Sequence, residues 1–477
     1  MKQRKACLVD RLFPFFFEQG GFLGGWIVTK LLKRGEDFHR IRLIDMNPPT
    51  SHHHVVKDSL SRGVQFFKVD VTDLVALEAA FKAPWLDVPS SSSKADPEIT
   101  VFHTAANIRF YERHLSFLDR STRVNVQGTK NVVSAAQSIG ATVLVYTSSG
   151  SVGLRNTRFL LWPWEKEPKM FLQVVNDDDD TERRAPRRHE DFFSNYAVSK
   201  MEGETFVRAS DKKPTGTVSR GTKVLLRTGC IRPGNGIFGP RGDIICGAYL
   251  SRRNNPSWVS TVVQSFSYVE NCAVAHLLYE KRLIELLKPE SKYPDIGGQA
   301  FCITDPGPTP TYGDVYTVLE TLSEGECHFP SLSPTAMLLI AHVIEFYYRT
   351  QQSLSAAGWN WLLPKVNSDI INLQPPLFSL TSVHLIFDDS RARLPPEKGG
   401  LGYVGAWTTT EGLHKTYQEH KSGVGRSETR SDSAGVSLPF SDRKRKKQAE
   451  KGVGNLKIQD KVGQSMAVGP VEIVNVE

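Results

Sequence analysis

The stretch "FFFEQGGFLGGWIVTKLLKRGEDFHRIRLID", residues 15–45, decides the fold of this chain. Its middle is a glycine-rich turn that opens a helix, and its last part, "IRLID", is an apolar strand that ends on Asp45. A strand, a glycine turn, a helix and a second strand ending in an acid are typical of a dinucleotide-binding βαβ unit. The stretch therefore predicts a nucleotide site around Gly21 and Gly24, with Asp45 beside it.

The first half of the turn departs from this pattern. A G-x-x-G-x-x-G spacing puts its last two glycines on Gly21 and Gly24 and its first on Glu18. A carboxylate at that position would lie near two phosphates, and its Cβ disfavours a positive φ. The run "LFPFFF" (12–17), which we assign as the first strand, holds a proline that cannot donate to a central ladder.

Two explanations of this departure stay open. One is real divergence of the turn, and the other is a wrongly assigned first exon that replaces residues 1–19. We favour the second, because the regular pattern begins abruptly at Gly20, whereas drift would scatter the damage along the chain.

Apolar strands alternate with helical segments from residue 20 to residue 150. The predicted strands are "IRLID" (41–45), "VQFFKVDV" (64–71), "TVFHTAA" (100–106) and "TVLVYTSS" (142–149). Such alternation predicts a parallel sheet covered by helices. The fold class is therefore α/β, a Rossmann-like doubly wound parallel sheet with a smaller, interleaved C-terminal lobe.

The predicted organisation has four parts. They are an aberrant N-terminus (1–19), a dinucleotide-binding domain (20–232) with a charged insertion (155–191), a substrate-binding lobe (233–420) interleaved with a helix of the first domain (268–288), and a disordered basic tail (421–477). The insertion carries an acidic block beside a basic block, which favours a solvated loop over a substrate lid. Much of the net charge of +8 comes from the tail, so the sequence indicates no specific nucleic-acid partner.

Cysteine spacing and hydropathy exclude several classes of protein. The six cysteines lie far apart without a C-x-x-C pair, which indicates reduced intracellular thiols and no metal site. The N-terminus lacks the small-residue cleavage site of a signal peptide. The longest apolar run (336–348) has thirteen residues, whereas about twenty are needed to span a bilayer.

The segment "NYAVSKMEGE" holds the candidate catalytic pair. Tyr196 and Lys200 are spaced Y-x-x-x-K, which places both side chains on one face of a helix. Ser148 and Ser149 end the preceding strand "TVLVYTSS", at the sheet edge where open α/β folds bind ligands. This combination is typical of alcohol oxidation by a nicotinamide cofactor, with Tyr196 as base and Ser149 holding the substrate oxygen. A phenol titrates near pH 10, and we expect Lys200 and the positive nicotinamide ring to lower that pKa by about two or three units.

The acid at the end of the second strand indicates the cofactor. Asp45 lies where a carboxylate accepts hydrogen bonds from the adenosine ribose, which favours NAD over NADP. The predicted cofactor-binding residues are Gly21, Phe22, Leu23, Gly24, Asp45, Asp70, Val71, Ala105, Tyr196 and Lys200, with Asp70 and Val71 flanking the adenine. The alternative is a glycine-rich turn that only packs a helix on a sheet.

Taken together, the motifs resemble those of the extended short-chain dehydrogenase/reductases. "GGFLG", "NVQGTKNV", "YTSS", "NYAVSK" and "IRPGNGIFGP" carry the general likeness. "Y-V-x-N-x-A-x-A-H" (268–276) and "G-Q-A-F-x-I-T-D" (298–305) are more specific, and with them the chain is similar to the 3β-hydroxysteroid dehydrogenase/isomerase family, which includes the sterol-4α-carboxylate 3-dehydrogenases. The likeness covers residues 20–420.

This resemblance implies NAD(P)-dependent oxidation of a 3β-hydroxyl on a sterol or terpenoid-like polycyclic lipid to the 3-ketone. It implies Tyr196 as base, Lys200 as its electrostatic partner and Ser149 as the oxygen-positioning hydroxyl. Asn125 in "VNVQG" matches a helix asparagine that serves a proton relay or packing. We expect His103 and His276 to be structural.

Other interpretations stay open. A catalytically impaired nucleotide-binding sensor or scaffold would account for the broken turn, and a reductase or epimerase of another small substrate would keep the fold. Residues 335–363 are either an interfacial helix that touches a membrane from one side or a buried helix of the second lobe. We expect an intracellular protein, cytoplasmic or associated with the endoplasmic reticulum membrane, and leave a homodimer open.

Overall fold

The computed structural model describes residues 5–9, 21–49, 54–86, 98–157, 171–177, 187–219, 222–234, 236–241, 243, 245–365 and 369–423. All of them belong to one compact unit, residues 1–435. Several predictions lie outside the described residues. They concern Glu18, Gly20, the run at 12–17, most of the charged insertion, and the tail beyond residue 423.

The described residues form a central parallel sheet and three short strand pairs. The strands are β1 (Lys5–Val9), β2 (Ile41–Asp45), β3 (Gln65–Lys68), β4 (Ile99–His103), β5 (Val143–Thr147), β6 (Leu172–Val175), β7 (Pro214–Ser219), β8 (Thr222–Leu225), β9 (Arg227–Pro233), β10 (Ile237–Phe238), β11 (Ser267–Tyr268), β12 (Ala300–Ile303) and β13 (His384–Phe387). Seven of them make one sheet in the order β12-β9-β5-β4-β1-β2-β3, and every pairing in it is parallel. The predicted doubly wound parallel sheet is confirmed.

Helices cover both faces of this sheet. They are α1 (Phe22–Lys33), α2 (His54–Ser61), α3 (Leu74–Lys82), α4 (Leu118–Thr122), α5 (Thr129–Ser138), α6 (Asn195–Arg208), α7 (Cys246–Arg252), α8 (Val269–Leu286), α9 (Tyr312–Leu322), α10 (Pro334–Ala356), α11 (Pro375–Thr381), α12 (Ser390–Arg393) and α13 (Thr409–Lys421). Successive strand residues face opposite cores. Leu8 packs with α1 and α8, whereas its neighbour Cys7 packs with α3 and α5.

The first strand lies earlier in the chain than we predicted. Lys5–Val9 occupies the centre of the sheet, with Ala6 opposite Ile41 on one side and Val9 opposite His103 on the other. Assigning "LFPFFF" (12–17) as that strand was wrong. "KACLV" can fill a central position because it has no proline and can therefore donate backbone N–H groups to both neighbours. The departure of the sequence from the dinucleotide pattern is thereby confined to residues 10–19.

Part of the predicted solvated insertion is built into the second lobe. Leu172–Val175 forms β6, which pairs in parallel with β13. Just beyond it, the buried carboxylate of Asp177 accepts a hydrogen bond from the backbone N–H of Cys302 in β12. The prediction of a loop is therefore wrong for residues 172–175, which pair with β13, although Leu172 and Val174 are exposed. The prediction of solvation is wrong for Asp177, which supplies the acceptor that an edge-strand N–H needs.

Other predictions about the chain as a whole can be compared directly. The helix predicted at 268–288 is α8, which packs beside α1 on the sheet. All six cysteines are buried and free, as expected for reduced thiols. Within the described residues, no helix combines the length and the apolarity that crossing a bilayer requires.

Candidate active site

The candidate catalytic residues converge where β5 ends and α6 begins. Ser194 caps α6, its side chain accepting a hydrogen bond from the Ala197 N–H, and Tyr196 is the second residue of the helix. Lys200 follows one turn later on the same face. Ser149 lies just past the end of β5 and begins a single 3₁₀ turn. The predicted Tyr–Lys–Ser constellation therefore meets at the carboxyl edge of the sheet.

Lys200 connects the helix to the sheet. Its buried ammonium donates to the backbone oxygen of Thr147 at 2.6 Å and lies 4.3 Å from the centre of the Tyr146 ring. Burial lowers the pKa of Lys200 to about 7, because charging the amine inside the protein costs hydration. The ammonium is thus held in place while its charge can still change near neutral pH.

In the chain without cofactor, the pKa of the Tyr196 phenol lies above its usual value. Burial raises its pKa to about 12, and a hydrogen bond with Ser149 opposes that rise. Desolvation of the phenolate outweighs the lowering effect of Ser149. The protein alone therefore does not make this phenol acidic, and the predicted lowering of its pKa requires the positive nicotinamide ring.

Ser149 is oriented by its own turn. Its Oγ lies 2.8 Å from Ser151 Oγ and accepts a hydrogen bond from the Ser151 N–H at 3.2 Å. The hydrogen bond between Ser149 and Tyr196 brings the two predicted catalytic oxygens together. A substrate oxygen could therefore meet both hydroxyls at once.

Sequence reasoning missed a buried ion pair directly behind these residues. Glu204, one turn beyond Lys200, receives two hydrogen bonds from Arg232, at 2.9 Å and 2.5 Å. Ser148 Oγ also donates to Glu204, at 2.5 Å, and all three side chains are buried. Arg232 and Ser148 hold the pKa of Glu204 below its usual value despite burial. The spacing of Glu204 four residues after Lys200 is the one signal the sequence offered.

A histidine supports the strand end that holds Lys200. His276 Nδ1 lies 2.8 Å from the Cys272 backbone oxygen, and its Nε2 lies 2.7 Å from Thr147 Oγ1. Burial lowers the pKa of His276 to about 4, so the ring is neutral at pH 7. The structural role expected for His276 thus includes fixing Thr147, whose backbone oxygen binds Lys200.

The two remaining candidates from the sequence also make structural contacts. Asn125 bonds to both backbone groups of Asn107, at 2.7 Å and 3.0 Å, and donates to Ser199 Oγ at 2.9 Å. His103 is buried, and its Nε2 lies 2.9 Å from Thr129 Oγ1. Asn125 therefore ties the loop after β4 to the catalytic helix α6, which favours packing over a proton relay.

The candidate cofactor site lies at the N-terminus of α1. The buried carboxylate of Asp45 accepts hydrogen bonds from Gly21 N at 3.2 Å and from Asn47 N at 2.9 Å. A pocket at this corner is lined by residues that include Gly21, Gly24, Gly25, Asp45, Asn47, Val56 and Phe66. The three glycines let a ligand approach the backbone closely, and the buried carboxylate beside them can accept hydrogen bonds from a ribose. Both features suit the adenosine half of a dinucleotide.

The other predicted cofactor residues do not line this pocket. Phe22 is half-buried and Leu23 is buried, and both pack in the core around α1. Asp70 accepts hydrogen bonds from the backbone N–H and hydroxyl of Thr72, both at 2.8 Å, and does not line the pocket. Val71 and Ala105 are buried in the core on the other face of the sheet. The predicted adenine contacts of Asp70 and Val71 remain predictions.

Comparison with known proteins decides the family. A model of the 3-beta hydroxysteroid dehydrogenase/isomerase family matches residues 18–325. The chain belongs to this family.

Individual relatives are distant. The chain is similar to 3beta-hydroxysteroid-dehydrogenase/decarboxylase isoform 2 of Arabidopsis thaliana, with 27% identity over 82% of this chain and 58% of the relative. It therefore spans less than two thirds of that relative's length. The sterol-4-alpha-carboxylate 3-dehydrogenase ERG26, decarboxylating, of Candida albicans is 27% identical over 59% of this chain and 67% of the relative.

A solved structure confirms the fold alone. MoeE5 in complex with UDP-glucuronic acid and NAD superposes with a TM-score of 0.51 at 16% identity, covering 88% of this chain and 99% of that one.

The specific motifs of this 3β-hydroxysteroid dehydrogenase/isomerase family member are structural. Asp305, from "GQAFCITD", accepts hydrogen bonds from Tyr268 N at 2.6 Å, Asn271 Nδ2 at 2.8 Å and Thr409 Oγ1 at 2.9 Å. Asn271 also donates to the Trp407 backbone oxygen at 2.6 Å. Asp305 and Asn271 therefore join α8 and the end of β12 to the start of α13, whereas His276 at the end of the first motif supports Thr147.

Metal chemistry has no candidate site in the part of the chain that the structure describes. No group of three or more histidine, cysteine or acidic side chains there could hold a metal ion.

Proposed function

We propose that this chain oxidises the 3β-hydroxyl of a sterol or related polycyclic lipid to the 3-ketone, with NAD as the acceptor. The observation that carries the proposal is the meeting of Tyr196, Ser149 and Lys200 where β5 ends and α6 begins. Family membership supports the reaction type, and the sterol-related names of both relatives support the substrate class. We assign cofactor binding to residues 20–232 and substrate binding to residues 233–420.

Each catalytic side chain has one task in this reaction. The Tyr196 phenolate accepts the proton of the substrate hydroxyl, and the Ser149 hydroxyl donates a hydrogen bond to the same oxygen. Lys200 stabilises the phenolate electrostatically from within its own helix. Bound NAD supplies the acceptor for the hydride that leaves the carbon.

A sterol that carries a carboxylate at position 4 would react further after its 3-hydroxyl is oxidised. Oxidation at C3 then produces a β-keto acid, which loses carbon dioxide readily without a further catalytic group. The names of both relatives include decarboxylation, which supports this substrate.

The experiment that tests the function is a substrate comparison. The purified full-length chain is given NAD or NADP with a 3β-hydroxysteroid, a 4α-carboxysterol or a UDP-sugar, and reduced cofactor and products are measured. We expect reduced cofactor with the sterols and none with the UDP-sugar. Turnover of the UDP-sugar alone would favour an epimerase-type activity, and saturable NAD binding without turnover of any substrate would favour the sensor or scaffold.

Asp45 should set the preference for NAD. Replacing Asp45 with alanine removes the carboxylate expected to bind the adenosine ribose, and a hydrogen bond to a charged group contributes about 1.5–3 kcal/mol. We therefore expect the Kd for NAD to rise about tenfold or more, with a smaller change for NADP. Calorimetric titration with both cofactors measures the two values. Equal losses for NAD and NADP would contradict the ribose contact.

A further inference from the structure

Arg187, near the end of the charged insertion, binds three backbone carbonyl groups. Its Nη1 donates to the Val152 oxygen at 2.6 Å, and its Nη2 donates to the Leu154 oxygen and, at 3.2 Å, to the Asp191 oxygen. The guanidinium also lies 3.9 Å from the centre of the Phe192 ring. A planar guanidinium presents its N–H groups in fixed directions, so that it can serve several acceptors at once. Arg187 therefore ties three points of the backbone to one group.

Two of these carbonyls belong to the turn that carries Ser149. The Val152 N–H donates to the Ser149 backbone oxygen at 3.1 Å, and the Leu154 N–H donates to the Ser151 backbone oxygen at 3.2 Å. Ser149 begins this turn, and the Ser151 hydroxyl lies beside the Ser149 hydroxyl. Arg187 therefore holds the end of the turn whose first residue is the proposed oxygen-positioning serine.

The third carbonyl belongs to the segment that leads into the catalytic helix. Asp191 is the last residue of a 3₁₀ turn that precedes α6. In the same turn, His189 Nε2 lies 2.7 Å from the side-chain oxygen of Asn195, directly before Tyr196. Phe192, on which the guanidinium stacks, belongs to the apolar cluster against which Tyr196 packs. The segment is therefore linked to the start of α6 by a polar and by an apolar contact.

We infer that Arg187 is a positioning residue, whose guanidinium sets the separation between the Ser149 hydroxyl and the Tyr196 phenol. Each of the two segments that it joins carries one of these oxygens. Asn156 adds a second link between them, because its N–H also donates to the Asp191 oxygen, at 3.1 Å. Removal of Arg187 should therefore loosen the two segments without separating them. The inference rests on the proposed function, in which both oxygens meet the substrate.

The hydrogen bond between Ser149 and Tyr196 makes this separation measurable. The bond lowers the pKa of Tyr196, against the rise that burial causes. When the turn and the helix move apart, the bond weakens and Tyr196 loses its proton at higher pH. Tyr146 interacts electrostatically with Tyr196, and Lys200 lies one turn along on the same face of α6. The variants below leave both of these side chains in place.

A tyrosinate titration with saturating NAD tests the inference without requiring turnover. The full-length chain carries isotope-labelled tyrosine for nuclear magnetic resonance, and the Tyr196 signal is assigned by its loss in Tyr196→Phe. The wild type is compared with Arg187→Ala, Ser149→Ala and the double variant. We expect both single variants to raise the Tyr196 midpoint by similar amounts. The double variant should raise it no further, because both changes weaken the same hydrogen bond.

Arg188→Ala is the matched control. The Arg188 side chain is 77% exposed and pairs with Glu190 at the surface, so this variant removes a neighbouring guanidinium without touching the Ser149 turn. It should keep the midpoint and the kcat of the wild type. Arg187→Lys keeps the charge but loses the planar fork, and its midpoint should lie between those of the wild type and Arg187→Ala. Millimolar guanidinium should restore the midpoint of Arg187→Ala but not that of the double variant.

Kinetics give a second readout. At neutral pH, kcat depends on the small fraction of phenolate, so Arg187→Ala should lower kcat about tenfold for each pH unit by which the midpoint rises. The KM for the substrate should change little, and so should the Kd for NAD, because the Gly21–Asp45 corner lies outside the segments that Arg187 binds.

The outcomes that contradict the inference are specific. A wild-type midpoint in Arg187→Ala would overturn it. A double variant whose shift equals the sum of the two single shifts would also overturn it, because Arg187 would then act independently of Ser149. If Arg187→Ala does not fold, Arg187→Lys decides, and a wild-type midpoint in that variant would contradict the role. A wild type without turnover of any substrate would refute the proposed function and leave the comparison of midpoints valid.

Discussion

Tyr196→Phe is expected to lower kcat about 10²- to 10⁴-fold, the usual contribution of a positioned acid–base group. The substitution removes one oxygen and leaves the ring, which packs in a half-buried position. NAD binding should be nearly unchanged, because the phenol acts on the substrate. Steady-state kinetics and calorimetric NAD titration measure the two effects on the same preparation.

A matched control separates catalysis from packing. Tyr417→Phe removes the same atom from α13, outside the candidate active site, and should leave kcat unchanged. Unchanged turnover in Tyr196→Phe would remove Tyr196 from its proposed role.

A spectroscopic titration gives a second readout for Tyr196. Burial raises its pKa to about 12 in the protein alone. Saturating NAD should lower the tyrosinate midpoint, because the positive nicotinamide ring favours the phenolate. The pH at which kcat rises should correspond to this lowered tyrosinate midpoint. A midpoint that NAD does not change would contradict the electrostatic part of the mechanism.

Glu204→Leu is expected to lower the free energy of unfolding by about 3–5 kcal/mol. The substitution leaves the buried guanidinium of Arg232 without its carboxylate and removes the acceptor of Ser148. Chemical denaturation at constant pH measures the loss. A change below about 1 kcal/mol would show that the pair is a minor contributor.

The double variant Glu204→Leu/Arg232→Met is the control for this prediction. Replacing both charges with apolar side chains removes the unpaired guanidinium, so most of the lost stability should return. Acid provides an independent test, because the pKa of Glu204 is lower in the folded chain than its usual value. The stability contributed by Glu204 is present above the unfolded-state pKa and is lost as the pH falls through the folded-state pKa.

The parallel sheet and the catalytic constellation could be predicted because both depend on local patterns. Alternating strands and helices specify a doubly wound sheet, and the Tyr196–Lys200 spacing fixes two side chains on one helix face. Asp45 was placed correctly beside Gly21 for the same reason, since it ends the strand that follows the turn.

Features that depend on distant segments could not be predicted. Ser148, Glu204 and Arg232 meet only after β5, α6 and β9 have packed together. The first strand was misplaced because the run at 12–17 is more apolar than Lys5–Val9, although only the latter can donate to two neighbours. The rise that burial causes in the pKa of Tyr196 without cofactor was not anticipated, because burial cannot be read from residue spacing.

The pairing of β6 with β13 affects the order in which the chain can fold. Leu172 lies opposite His384, so the second lobe stays incomplete until nearly all of the described sequence has left the ribosome. The Lys5–Val9 strand likewise waits for β4 before its second edge is paired. Contacts between such distant segments slow folding, because a long loop must close before they form. During synthesis, β6 is therefore a candidate segment for chaperone protection.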